Sequence, residues 1–300
     1  MSIARSTILT LLAFIPVTAG LLACSPLSAI NALSSGSAST VTPDLSYGPL
    51  SRQKLDVYAP KHHAGLAPVV VFFYGGNWNS GGRADYAFVG HALASRGYVA
   101  VIADYRLYPQ VHYPEILQDA ARAVAWTSLE VRRYGGDPAR LFVMGHSAGA
   151  YNAAMVALDA SWLARHGMRQ QDLRGWIGLA GPYDFLPIEN PDTKPVFFFP
   201  DTPASSQPVN HVTATAPPAL LIAPRRGHDK LVDPRRNTGG LAAALRAQGR
   251  PVTEQYLDGV SHATLVASLA GPLRRLAPTL DHISAFIDAN SGPETKTPVR

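Results

Sequence analysis

The chain has 300 residues, of which 47 % are hydrophobic and 16 % charged, with a formal net charge of +5. That apolar content excludes a disordered chain, and the length suits one large globular domain. Basic residues are scattered in short pairs such as Arg132-Arg133 and Arg274-Arg275, with no nucleic-acid motif around them, so no nucleic-acid partner is expected.

The N-terminal segment departs from globular sequence. Arg5 is a short basic region, Ser6 to Gly20 an apolar run, and Leu21-Leu22-Ala23-Cys24 follows at once. This order resembles a bacterial lipoprotein signal, although Leu22 is bulkier than the residue usual at its position. The resemblance implies cleavage before Cys24, with 1–23 as signal peptide, and diacylglycerol on the Cys24 thiol. The membrane is then a partner, and the chain is exported and lipid-anchored in the bacterial cell envelope. Cys24 is the single cysteine, so no intramolecular disulfide can form. The competing readings are an ordinary secretory signal and an N-terminal transmembrane anchor. Residues 24–46, rich in Ser, Ala, Thr and Pro, read as lipidated N-terminus and flexible tether, the folded domain as 47–290, and 291–300 as a frayed tail.

Within that domain, strands are expected at Lys54 to Tyr58, Val69 to Tyr74, Tyr98 to Ala103, Leu141 to Met144, Trp176 to Ala180, Ala219 to Ala223 and Val252 to Leu257. Helices are expected at Tyr86 to Ser95, Pro114 to Tyr134, Ala150 to Leu158, Pro234 to Gln248 and Pro278 to Ala289. The second is the clearest: Pro114 opens it, Ile116, Leu117, Ala120, Ala121, Val124 and Ala125 share one side, and Gly135-Gly136 stops it. Alternating strands and helices with nearly continuous apolar strands predict an α/β fold, a mostly parallel sheet covered on both faces. One stretch, 181–218, breaks the alternation with many prolines and Phe197-Phe198-Phe199, and reads as a cap over a site.

The chemistry is carried by Gly145-His146-Ser147-Ala148-Gly149, between the run Leu141 to Met144 and a helix-forming stretch. A strand-to-helix turn of this kind exposes a serine hydroxyl, and the glycines keep other atoms away from it. Such a hydroxyl needs a histidine base, and that imidazole needs a carboxylate to fix its tautomer. Asp229 and His262 each follow the C-terminal end of an expected strand. Asp233, just before Pro234, fits a helix N-cap better than the acid, and His228 adjoins the acid and cannot readily face it. Ser147, Asp229 and His262 are therefore the candidate catalytic residues. His146, Asp104, Tyr105 and Arg106 read as supports of the surrounding turns. The histidines form no His-Glu-x-x-His pattern, so neither metal nor cofactor is expected.

With these residues go Leu-Asp-Val-Tyr-Ala-Pro at 55–60, Tyr-Gly-Gly-Asn-Trp at 74–78, Asp-Tyr-Arg-Leu-Tyr-Pro at 104–109 and Gly-Pro-Tyr-Asp-Phe at 181–185. Together they resemble the α/β-hydrolase superfamily, in its branch of carboxylesterases, hormone-sensitive lipase and kynurenine formamidase, over about Leu55 to Ile287. The resemblance implies an α/β-hydrolase fold and hydrolysis of a small-molecule carboxylic ester through an acyl-enzyme. It implies an oxyanion hole from the backbone N–H groups of Gly76, Asn77 and Ala148. Tyr74 stands where the family's His-Gly-Gly-x-Trp loop has histidine, a departure that touches the support of that loop. Trp78, Tyr151, Tyr183 and Phe185 are candidate pocket residues. Formamide hydrolysis, and a silent ligand-binding protein that keeps the fold, are the alternatives.

Overall fold

The structure is a computed structural model that describes residues 26–34 and 38–292. The signal segment, Cys24 and most of the expected C-terminal tail lie outside the described residues. Eight strands, β1 (Ser39–Ser46), β2 (Lys54–Pro60), β3 (Ala67–Phe73), β4 (Val99–Ala103), β5 (Gly136–His146), β6 (Leu173–Leu179), β7 (Ala219–Pro224) and β8 (Val252–Leu257), form one sheet in the order β1-β2-β4-β3-β5-β6-β7-β8. β1 and β2 run antiparallel to their neighbours, and the other pairings are parallel. Every residue of β3, Ala-Pro-Val-Val-Val-Phe-Phe, is buried, the expected state of a central parallel strand packed on both sides.

The helices are α1 (Pro26–Leu33), α2 (Ala87–Ala94), α3 (Glu115–Glu130), α4 (Ala148–Leu158), α5 (Ala160–Ala164), α6 (Gly240–Ala247), α7 (His262–Ala267) and α8 (Thr279–Asn290). The expected helix over 114–134 divides into α3 and a 3-10 turn at Val131–Tyr134, and Gly135, at φ 82°, ends it. Tyr98 Oη donates to Asp288 Oδ1 (2.8 Å) and Arg96 pairs with Asp281, which ties the segment after α2 to α8. The expected helix from Pro234 begins with a π-helical turn, Arg235–Gly239, before α6.

The flexible tether expected over 24–46 needs correction. Residues 39–46 are β1, paired with β2 from Ser39↔Pro60 to Ser46↔Lys54, with an irregularity between Thr42 and Leu45 beside Pro43. The strand is mostly exposed and polar because it sits at the sheet edge, where proline is tolerated and no apolar run is needed. Before it, α1 lies against the start of α2: Asn31 Nδ2 donates to Ala84 O (2.8 Å), and Asn31 Oδ1 accepts from Phe88 N (2.9 Å). Leu27 and Ile30 pack on the core.

Candidate active site

The site is built at the C-terminal ends of β3, β5, β7 and β8. β5 delivers Ser147 into a tight turn at φ 54°, ψ −123°, a backbone state that a residue with a Cβ rarely occupies. The flanking glycines make the turn possible by close approach. A Cβ on Gly145 would lie 2.0 Å from Gly149 O, and one on Gly149 would lie 2.0 Å from Phe73 O. Ser147 N donates to Leu179 O (2.9 Å), fixing the turn to the neighbouring β6. α4 starts immediately afterwards, so the positive end of its dipole and the Ala148 N–H face the space beside Ser147.

Asp229, in the loop after β7, and His262, the first residue of α7, meet through His262 Nδ1 and Asp229 Oδ2 at 2.8 Å. The other carboxylate oxygen, Oδ1, accepts from Leu231 N (2.9 Å) and Val232 N (3.0 Å). Burial by itself would raise the Asp229 pKa. The hydrogen bonds from His262 and from the two backbone N–H groups outweigh it, holding the carboxyl below its ordinary value. The ionised carboxylate therefore accepts the Nδ1 proton of His262 and leaves Nε2 as the free, basic nitrogen.

His146 connects this pair to the serine. Its Nε2 is 3.0 Å from the His262 carbonyl oxygen, so that nitrogen carries the proton and donates it. The two imidazole rings are 4.9 Å apart. Burial first, and the neighbouring His262 second, push the His146 pKa down to about 3, so the ring is neutral. Asp229 and His262 thus come together from two separate loops, and the His262 main chain is tied to His146, the residue that precedes Ser147. Among the described hydrogen bonds none joins Ser147 to His262, as is common before a substrate tightens such a contact.

The loop after β3 is held in unusual backbone states, with Gly76, Asn77 and Trp78 at φ 128°, 49° and 58°. A Cβ on Gly76 would stand 2.3 Å from Ser80 O, which accounts for glycine there. Asn77 and Ala148 line the same cavity as Ser147. Among the described hydrogen bonds, the N–H groups of Gly76, Asn77 and Ala148 donate to no protein acceptor.

Tyr74, the departure in this loop, is fully buried, stacked between Tyr86 (5.6 Å) and Tyr105 (4.7 Å). Its hydroxyl donates to Asp104 Oδ1 (2.9 Å) and accepts from Arg52 Nη2 (2.9 Å), while Tyr105 Oη donates to Tyr74 O (2.7 Å). Asp104 is also bound by Arg83, and Arg106 bonds Asp119 at 2.7 Å, so the segment 104–106 braces the loop.

The cavity in front of Ser147 measures about 280 Å³. Of the expected pocket residues, Trp78 and Phe185 line it, whereas Tyr151 and Tyr183 do not. Both tyrosines are buried behind it. Tyr151 packs edge-on to Trp78 (5.1 Å) and Phe197 (5.5 Å), and Tyr183 turns back onto Trp176 (6.0 Å). The segment 181–218 supplies Ile188, Asn190 and Thr193 to one side of the cavity, and the stretch after β7 supplies Leu231, Val232 and Arg236.

Sequence reasoning missed Asn237. Its Oδ1 accepts from Tyr183 N (2.6 Å) and Asp184 N (2.9 Å), which fastens the root of the cap segment to the stretch that follows Asp229. An asparagine in an expected helix gives no signal of this, since its partners lie more than fifty residues away. Among the described residues no group of three or more His, Cys, Asp or Glu side chains could hold a metal ion, and no helix is long and apolar enough to cross a membrane.

Comparison with known proteins points to esterases of the same fold. The family model described as BD-FAE matches residues 55–239. Isoprenylcysteine alpha-carbonyl methylesterase ICME of Arabidopsis thaliana is 28 % identical over 76 % of this chain, and esterase LipC of Mycobacterium tuberculosis is 29 % identical over 81 %. The matches take in 57 % and 63 % of those proteins' own lengths. Among solved structures, a thermostable esterase from Pseudomonas putida ECU1011 is 25 % identical with a TM-score of 0.69, covering 89 % of each chain. Esterase B from Lactobacillus rhamnosis, at 21 % identity, shares the fold with a TM-score of 0.74 over 88 % of this chain and 92 % of its own.

Proposed function

Because the chain belongs to the BD-FAE family of α/β-hydrolase esterases, we propose that it hydrolyses carboxylic esters with Ser147 as nucleophile, His262 as base and Asp229 as the carboxylate that orients it. His262 Nε2 takes the hydroxyl proton as Ser147 Oγ attacks the acyl carbon, and the N–H groups of Gly76, Asn77 and Ala148 receive the developing oxyanion. As the tetrahedral intermediate collapses, the His262 imidazolium gives its proton to the leaving alcohol. Water, deprotonated by the same nitrogen, then cleaves the acyl-enzyme and frees the acid. The observation that carries this reading is the 2.8 Å Asp229–His262 bond, tied through the His262 carbonyl to His146, together with a serine next in the chain held at φ 54°, ψ −123°. The export reading is retained with it: Cys24, acylated after removal of 1–23, would hold the enzyme on a bacterial envelope membrane.

Turnover of p-nitrophenyl acetate and butyrate tests the chemistry. Replacing Ser147→Ala or Asp229→Asn is expected to lower kcat by roughly 10³ to 10⁴ or more. Hydrolysis that survives Ser147→Ala overturns the nucleophile assignment. A strong preference for N-formylkynurenine over both esters would move the reading to formamide hydrolysis.

A further inference from the structure

We propose that the end of the sheet that bears Ser147 is also a membrane-contact face, seated on a phospholipid surface so that the ester enters the cavity from the bilayer. Two observations lead there, and only the first rests on the lipoprotein reading of Cys24.

The first is where the N-terminal segment joins the fold. Cys24 is two residues before Pro26, the first residue of α1. Asn31 of α1 is bonded to Ala84 and Phe88, which directly follow the loop that carries Gly76 and Asn77. A helix of eight residues is about 12 Å long, and two further residues reach at most about 7 Å. A lipid on Cys24 is therefore held within about 20 Å of Ala84, at the catalytic end of the sheet, with too little chain for the domain to turn that end away.

The second is the surface around the cavity, which needs no lipid on Cys24. Leu231 lines the cavity and yet is 73 % exposed. Along the chain it stands between the exposed Arg226, Lys230 and Arg235, for which no ion pair is found among the described residues, and next but one to the exposed Asp233. On the cap segment, Phe198 and Phe199 are 47 % and 42 % exposed, with Lys194 Nζ 4.6 Å from the Phe199 ring. Asp184, Glu189, Asp192 and Asp201 against Lys194 make that segment acidic overall, and Asp229 and Asp233 stand among the cations of the 226–235 stretch, so the face has no net positive charge and the contact rests on its apolar side chains. Exposed large apolar side chains match a surface of phosphate headgroups above acyl chains. Substrates of the proposed esterase would then be esters that partition into lipid.

A fluorescent probe on the whole chain tests the contact. With Cys24→Ser, the chain has no other thiol, so Phe199→Cys, Leu231→Cys and Leu129→Cys each accept one environment-sensitive nitrobenzoxadiazole label. Leu129 is exposed at the end of α3, at the opposite end of the sheet. On adding vesicles of equimolar phosphatidylcholine and phosphatidylglycerol, the labels at 199 and 231 are expected to shift to the blue and brighten at least about twofold, while that at 129 stays unchanged. No response at 199 and 231, or the same response at all three positions, overturns the proposal. The label reads contact and not turnover, and Cys24 is absent, so failure of the esterase or lipoprotein reading leaves this result intact.

Discussion

Ser147 sits in a backbone state that costs about 1–3 kcal/mol for a residue with a Cβ, and the fold maintains it because the hydroxyl must stand clear of the chain. Ser147→Gly is accordingly expected to abolish ester hydrolysis while raising the midpoint of thermal unfolding by a few degrees; a lower midpoint would show that the turn is unstrained. His146 carries a second cost. Folded, its pKa is about 3, against 6.5 for an unperturbed ring. Between those values the unfolded chain binds a proton that the folded chain refuses, so stability falls as pH drops from about 6.5 to about 3 and levels off below. The slope is ~1.4 kcal/mol per pH unit. His146→Gln, which keeps an N–H to offer the His262 carbonyl, is expected to flatten that fall, measured as urea midpoints across the window; an unchanged slope would sink the account. Tyr74 was legible as a departure but not as a solution. The phenol's bonds to Arg52 and Asp104 and its stack between two tyrosines give the loop a support that position alone could not reveal.

Among the elements, the sequence was readable where burial is two-sided. Of the seven strands found, those inside the sheet show apolar runs such as Val69 to Phe73 and Leu220 to Ala223, which a sheet covered on both faces demands. The edge strand β8 was marked instead by β-branched Val252-Thr253 and by Tyr256. β1 escaped because an edge strand needs only backbone partners: Ser-Thr-Val-Thr-Pro-Asp-Leu-Ser has the composition of a linker and still hydrogen-bonds to β2. Arg83 adds to that bond by pairing with Asp44 of β1, Asp56 of β2 and Asp104 beyond β4. A chain starting at Tyr47 is expected to unfold at a lower temperature than one starting at Pro26 and to self-associate in size-exclusion chromatography, since the β2 edge is left bare. Equal behaviour of the two would show that β1 contributes nothing. The π-helical turn before α6 was equally hidden, because Asn237, bonded to Asp233 O within the turn, also holds the cap root through its Oδ1.

At the scale of the molecule, the cavity is a joint product of the loops after β3, β5 and β7 and of the cap segment, and its volume of about 280 Å³ is at the small end of ligand sites. Turnover of p-nitrophenyl esters is therefore expected to be highest for short acyl chains and to drop beyond about eight carbons; a long-chain optimum would mean that the cap moves. By itself the sequence determined the α/β class, the serine elbow, the order of Ser147, Asp229 and His262, and the loop with the candidate oxyanion donors. Each of these is encoded in neighbouring residues, as apolar runs, glycines that admit a tight turn, or polar residues just past a strand. Only the tertiary structure decided that Tyr151 and Tyr183 lie behind the cavity and not on it, that His146 bonds the main chain of His262, and that residues 39–46 complete the sheet. Those outcomes depend on contacts between segments up to 116 residues apart, and no local pattern specifies which distant groups will fill a buried space or satisfy a backbone edge.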